Sequence, residues 1–192
     1  MDGYMIAIML ACFFLLIKPF RYFLNLFLGN DQPLLYKFSH IIGLVILILF
    51  IMLIIDDLTL QPIQKLASNQ NAALYLVSPL MMVLAIYMTS LFLFAKEFLL
   101  LVKKYKPVIV PVLLFTSVFS IMELINKSSE LFSTLGGTPE QPGSTIHELP
   151  WINAYTTSLF FNGHLFIFLT SLTILCAYPF LSQKEARDYT IN

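Results

Sequence analysis

Residues 36–55 read YKFSHIIGLVILILFIMLII, and two aspartates, Asp56 and Asp57, follow directly. Lys37 is the only residue of this segment that carries a full charge. A helix of about 20 mostly apolar residues crosses the ~30 Å hydrocarbon core of a bilayer, so this segment predicts a transmembrane helix. The whole chain has the same character, because 58% of its 192 residues are hydrophobic and only 11% are charged.

Four further apolar stretches flank this segment and have the length of membrane spans. The first contains Lys18, Pro19 and Arg21, so a helix that spans here extends two cations toward the interface. A cleavable signal peptide is the alternative for this stretch, but Met1 and Asp2 do not form the positively charged N-terminal region that signal peptides have. We predict an all-α integral membrane protein, one domain with five transmembrane helices at about residues 4–28, 36–55, 72–102, 107–125 and 151–179.

Lysine and arginine are distributed unevenly around these five spans. Nine of the eleven fall on one side, and only Lys65 and Lys127 fall on the other. Because Lys and Arg are retained on the cytoplasmic face, the N terminus is predicted outside and the C terminus in the cytoplasm. The expected location is the plasma (inner) membrane of a bacterium, with an organellar membrane as the alternative.

Small residues recur on one face of the first span, where Gly3, Ala7 and Ala11 follow each other at four-residue intervals. Such ridges let transmembrane helices approach closely. The ridge predicts a contact with another helix, either of this chain or of a partner subunit. The expected partners are therefore the lipid bilayer and a membrane protein that contacts the first span; no nucleic acid is expected.

Polar residues inside the spans fall on shared helix faces. In the fourth span they are spaced by four, three and four residues, and in the fifth they repeat every seven, which predicts a polar seam between helices. The third span is expected to add a similar face. The predicted faces are Ser78, Met82, Ala85 and Thr89; Thr116, Ser120, Glu123 and Lys127; and Thr157, His164, Ser171 and Tyr178.

Ionisable residues gather toward the predicted outer side. His164 lies roughly 9 Å inside the outer boundary, and Glu123 lies near the outer end of its span. Together with Asp56, Asp57 and His147 they could bind a divalent cation, receive a cationic substrate or relay protons. The favoured interpretation is structural: the aspartates end a helix, Glu123 pairs with Lys127, and His164 bonds to a neighbouring helix. No motif predicts a catalytic residue, a metal site or a cofactor.

The predicted outer loop, residues 126–150, is the longest connection. Five glycines and prolines predict a flexible centre, and the spacing of Thr145 and Glu148 predicts a short helix that leads into Trp151. The loop is either a lid or contact surface, or an unstructured connection.

Three functions fit these features. The favoured one is a small subunit or scaffold of a larger membrane complex, without enzymatic activity. The second is a transporter or an ion- or proton-handling protein that uses Glu123 and His164. The third is a membrane-embedded enzyme that acts on a lipid-linked substrate, with His164 or His147 as base and Glu123 as its partner.

Overall fold

A computed structural model of the chain describes residues 34–60, 72–101 and 105–190. Its regular secondary structure is helical: α1 (Leu34–Leu58), α2 (Leu74–Leu101), α3 (Lys106–Thr134), α4 (Thr157–Phe160) and α5 (Gly163–Thr190). Four stretches are long and apolar enough to cross a membrane, namely Lys37–Leu58, Leu74–Ala95, Pro107–Thr134 and Thr157–Pro179. The helical class and its fit to a membrane are confirmed. The predicted first span, with Gly3, Ala7 and Ala11, lies outside the described residues, so five spans stay a prediction.

The main helices pack in an order that differs from their order along the chain. α5 lies between α2 and α3 and packs extensively against both, while α1 packs against α2. Helices α2 and α3, which follow each other in sequence, are therefore separated by α5. The apolar contact between α1 and α2 forms the largest core, since each helix buries one face with residues spaced by four, three and four. These residues are Leu44, Ile48, Ile51 and Ile55 of α1, and Leu76, Leu80, Val83 and Tyr87 of α2.

Side-chain hydrogen bonds connect neighbouring helices across each of these contacts. Ser90 Oγ lies 3.4 Å from His40 Nε2 between α2 and α1. Tyr87 Oη lies 3.2 Å from Thr170 Oγ1 between α2 and α5. The Oγ1 of Thr116 and the Oγ of Ser171 lie 3.1 Å apart between α3 and α5. Thr116 and Ser171 both belong to the predicted polar seam, so the predicted faces of the fourth and fifth spans do meet.

The face predicted for α2 is wrong, because all four of its residues are exposed. The hydrogen-bonding face of α2 instead carries Tyr87 and Ser90, which are 3% and 1% exposed. The reason is that apolar packing against α1 sets the rotation of α2, and Tyr87 shares that apolar face while its hydroxyl reaches α5. The exposed residues of the predicted face are Ser78, Met82, Ala85 and Thr89.

Helix α3 continues past the predicted span end at residue 125 and stops only at Thr134. Its last turns pack through Leu131 and Phe132 against a small apolar cluster formed by the following segment. The connection to α4 therefore begins at residue 135. We refer to residues 135–156 as the cap segment.

The last predicted span is interrupted near its start. The short helix α4 ends at Phe160, because the next residue, Phe161, has a φ of −128° and a ψ of 75°, which are not helical. Asn162 then begins α5, because its Oδ1 accepts hydrogen bonds from the backbone N–H of His164 at 2.9 Å and of Leu165 at 3.0 Å. This is the N-cap arrangement, which satisfies two N–H groups that otherwise have no partner at a helix start.

Candidate functional site

The described helices alternate in direction, so the molecule has two distinct ends. The cap end holds the last turns of α1 and α3, the cap segment and the start of α5; the basic end lies opposite. The backbone N–H of Leu60, just after α1, donates to the carbonyl oxygen of Ala154 at 2.8 Å and fixes the cap segment to α1. Of the Lys and Arg residues that the structure describes, Lys127 lies in the cap half, whereas the basic half has Lys37, Lys96, Lys106, Lys184 and Arg187.

The cap segment begins with a glycine turn that closes α3. Gly136 adopts a φ of 76°, and its N–H donates to Ser133 O at 3.3 Å. The N–H of Gly137 donates to Phe132 O at 2.8 Å. These two bonds form a Schellman motif, in which glycine takes the left-handed conformation that other residues rarely adopt.

Ser144 returns the chain to the end of α3. Its hydroxyl donates to Gly137 O at 3.0 Å and accepts from the N–H of Ile146 at 3.2 Å. The N–H of Thr145 donates to Leu135 O at 2.8 Å. The predicted flexible centre is thus a folded loop held by its own hydrogen bonds. The predicted short helix is wrong, because Glu148 has a φ of 64°, which a right-handed helix does not allow.

The second half of the cap segment is built around two buried side chains, Asn153 and Thr156. Asn153 Nδ2 donates to Pro150 O at 2.8 Å, and its Oδ1 accepts from the N–H of Tyr155 at 2.9 Å. The Thr156 hydroxyl accepts from the N–H of Asn153 at 3.0 Å and donates to the carbonyl oxygen of Trp151. Each polar atom named here has a partner, so this half of the cap segment is a compact folded element.

Three of the predicted site residues do not come together. Asp56 and Asp57 are exposed in the last turn of α1, where the helix ends two residues after Asp56. The His147 ring lies in the cap segment, where its Nδ1 donates to Pro139 O at 3.2 Å. Its Nε2 lies 3.7 Å from the exposed carboxylate of Glu148. His147 therefore has a local partner within the cap segment.

Glu123 and His164 lie at one level of the α3–α5 contact. Each is seven residues toward the cap end from the bonded pair Thr116 and Ser171, which is two helical turns or about 10 Å along each axis. Seven residues return to the same helix face, so both side chains follow the line of this contact. Both are half-buried. Among described residues no ion pair within 4 Å joins Glu123 to His164 or to Lys127.

Metal coordination by the candidate residues has no geometric support. In residues 34–60, 72–101 and 105–190, no group of three or more His, Cys, Asp or Glu side chains is placed to hold a metal ion. The five candidates instead occupy three places, which are the end of α1, the cap segment and the contact between α3 and α5.

Sequence reasoning missed a cleft of about 530 Å³ between the cap half of α3 and the α4–α5 break. We refer to it as the outer cleft. It forms because α3 extends beyond the predicted span and because α4 ends at residue 160, so that two separate elements make its second wall. The dipeptide Asn162-Gly163 inside an apolar run was the signal for that break. The cleft is lined by Ile121, Leu124, Ile125, Ser128, Ser129, Phe132, Leu159, Phe160 and Leu165.

The chain was also compared with known proteins. No protein-family model, no curated protein and no solved structure matches it.

Proposed function

We propose that the protein is a small, non-enzymatic subunit or scaffold of a larger membrane complex in the inner membrane of a bacterium. In this proposal the cap end lies outside the cell and the basic end lies in the cytoplasm. The distribution of Lys and Arg between the two ends supports this orientation, since cytoplasmic ends retain these residues. The position of α3 is the main observation that supports the subunit role.

Helix α3 lies at one side of the described bundle and packs extensively against α5 alone among the long helices. Only 11% of its most apolar stretch is buried, compared with 44% for α2. The outward face carries large side chains, and the rings of Phe115 and Phe119 stack with centroids 6.4 Å apart. This face fits an apolar transmembrane helix of a partner. Its exposed residues are Val108, Val112, Phe115, Val118, Phe119 and Met122.

The cap segment supports the same role on the outer side. Its buried Ser144, Asn153 and Thr156 side chains are hydrogen-bonded, and it continues directly from α3 through the Schellman motif. A partner helix that packs on α3 would therefore meet a folded surface just outside the membrane. The predicted ridge of Gly3, Ala7 and Ala11 offers a second contact for a partner within this proposal.

Photocrosslinking from within the membrane tests the α3 contact. A photoreactive phenylalanine analogue at Phe119 is expected to give one protein adduct of fixed mass in native membranes. The same analogue at Phe50, which is equally exposed on α1, is the matched control and is expected to give lipid adducts. Lipid adducts alone from position 119 would contradict the proposed contact.

A second candidate function is ion or proton handling, which the common level of Glu123 and His164 favours. These groups lie about 10 Å outward from the Thr116–Ser171 hydrogen bond on one helix contact. Ionisable residues at membrane depth are costly and usually serve transport or proton relay. A water-filled path past both residues would be needed.

Proton flux into proteoliposomes loaded with a pH-sensitive dye tests this candidate. If it is correct, the wild-type protein raises proton flux above that of protein-free vesicles, and Glu123→Gln or His164→Ala abolishes the increase. Glu130→Gln, an exposed residue on the same helix, is the control and should leave flux unchanged. Equal flux in the wild type and both variants would remove the candidate.

A further inference from the structure

We propose that the predicted first span, residues 4–28, packs antiparallel on an apolar face of α1 that the described helices leave exposed. This contact uses one side of the first span and leaves its small-residue ridge on the other side for a partner. It does not depend on the subunit role, because it lies within one chain. The contact residues are Met5, Met9, Cys12 and Leu16 of the first span, and Ile42, Ile46, Leu49 and Leu53 of α1.

Helix α1 has one apolar face without an extensive contact in the described residues. It packs extensively against α2, and it has a smaller contact with the short helix α4. Nearly opposite the α2 contact, large side chains spaced by four, three and four residues form a ridge along α1, and each is 40–69% exposed. Transmembrane helices associate by packing such ridges closely against a neighbour. The four residues of the ridge are Ile42, Ile46, Leu49 and Leu53.

The connection that precedes α1 indicates which helix packs on this ridge. Residues 29–33, with the sequence Gly-Asn-Asp-Gln-Pro, are all that separates the predicted first span from Leu34, where α1 begins. Connections of about 2–8 residues join helices that are antiparallel neighbours. A short tether also holds the first span near α1 at an effective concentration of about 1 mM, an advantage that a helix of a separate chain does not have.

Other segments of this chain do not compete for the ridge. Residues 1–33, 61–71, 102–104 and 191–192 lie outside the described part of the chain. Of these four segments, only residues 1–33 include an apolar stretch of membrane length. Among the described helices, α2, α5 and α3 already pack in a row that continues away from the other side of α1. The first span is therefore the segment of this chain that fits the ridge.

The contact residues of the two helices match in spacing and in depth. Those of the first span are also spaced by four, three and four residues. Leu16 lies twelve residues before the predicted end of the first span, and Ile46 lies twelve residues after the start of α1. Met9 and Leu53 each lie nineteen residues from the same two ends. Because both helices rise by about 1.5 Å per residue, each pair lies at one depth.

The ridge of Gly3, Ala7 and Ala11 lies on the opposite side of the first span. Successive residues of a helix are turned by about 100°, which places this ridge roughly opposite the residues that contact α1. A partner helix can therefore reach the small residues without displacing α1. The packing order becomes first span, α1, α2, α5 and α3, so the two surfaces offered to a partner belong to the first and the last helix.

Disulfide cross-linking of the full-length protein in native membranes tests this packing. Cys12 is native, and Leu49 lies at nearly the same depth on the ridge of α1. In a Cys176→Ser background, Leu49→Cys is expected to form an intrachain disulfide with Cys12 when air and copper phenanthroline are added. Facing positions of packed helices meet the Cα separation of roughly 4.4–6.8 Å that a disulfide requires. A monomer in which neither thiol reacts with a maleimide polymer is the expected product.

Phe50→Cys in the same background is the matched control. Position 50 has nearly the depth of position 49 and is also exposed, but it lies about 100° further around α1. Its disulfide with Cys12 should form at least tenfold more slowly. Equal rates at positions 49 and 50 would overturn the proposed face.

A second pair protects the test against one unfavourable geometry. Met9→Cys with Leu53→Cys, in a chain with Cys12→Ser and Cys176→Ser, should also form an intrachain disulfide. A disulfide-linked dimer from either pair, in place of the intrachain bond, would mean that a second copy covers the ridge. Unreacted thiols in both pairs would mean that lipid or another protein covers it. Each of these two results would overturn the proposal.

Discussion

Thr156→Val is expected to lower the free energy of unfolding of the protein by about 2–6 kcal/mol. The side chains have nearly the same shape, but the Thr156 hydroxyl accepts from the N–H of Asn153 and donates to Trp151 O. Valine leaves the buried N–H of Asn153 and the partly buried carbonyl oxygen of Trp151 without this partner, and each loss costs about 1–3 kcal/mol. Unfolding in detergent, followed by tryptophan fluorescence, measures the change, since Trp151 is the only tryptophan in the chain.

Thr156→Ser is the matched control, because serine keeps the hydroxyl and loses one methyl group. It should recover most of the lost stability. Residue 156 is 0% exposed, so the loss of that buried methyl group still costs about 1 kcal/mol, less than the loss of the hydroxyl. If the valine and serine variants were equally stable, the buried hydrogen bonds would not hold the cap segment together.

Gly137→Ala is expected to cost about 2–3 kcal/mol and to loosen the turn that closes α3. Gly137 has a φ of 136°, a conformation that L side chains rarely adopt. An added Cβ would also lie 2.1 Å from Gln141 Oε1. That oxygen accepts from the N–H of Thr138 at 3.1 Å, so moving it removes a second contact. Limited proteolysis should then cut the cap segment faster.

Gly43→Ala provides the control for this substitution. Gly43 lies inside α1, and nothing lies within 4 Å of an added Cβ there. Alanine in a helix interior is favoured over glycine by roughly 0.5–1 kcal/mol, so this variant should be as stable as the wild type or more stable. Unchanged protease resistance of the cap segment in Gly137→Ala would contradict the structural role of the turn.

The long helices were predictable, because an apolar stretch of about 20 residues is enough to indicate a membrane-spanning helix. The segment at residues 36–55 lies within α1, and the aspartates that follow it lie in its last turn. The end of α3 was not predictable in the same way. A helix continues beyond the hydrocarbon when later residues still pack, and Leu131 and Phe132 pack against the cap segment. The thickness of the hydrocarbon core predicts how many residues cross the membrane. Tertiary contacts decide at which residue the helix ends.

The cap segment illustrates a second limit. Its glycines and prolines predicted a flexible centre, whereas the segment is folded through pairs distant in sequence, such as Thr145 with Leu135. No local pattern encodes such pairs. The seven-residue spacing in the last two spans was more informative, since it placed Thr116 and Ser171 on faces that meet. The position of His147 could not be predicted from sequence, because it depends on the hydrogen bond from its Nδ1 to the carbonyl oxygen of Pro139, which forms only when the loop folds.

The mass of the protein extracted from its native membrane in mild detergent tests the proposed subunit role most directly. We expect one defined particle well above the 21.9 kDa of the chain. Phe115→Ala with Phe119→Ala, or Ala7→Leu with Ala11→Leu, should release the monomer. Phe50→Ala with Leu53→Ala, on the exposed face of α1, should leave the particle intact. A monodisperse 21.9 kDa monomer from wild-type membranes would contradict the proposed subunit role.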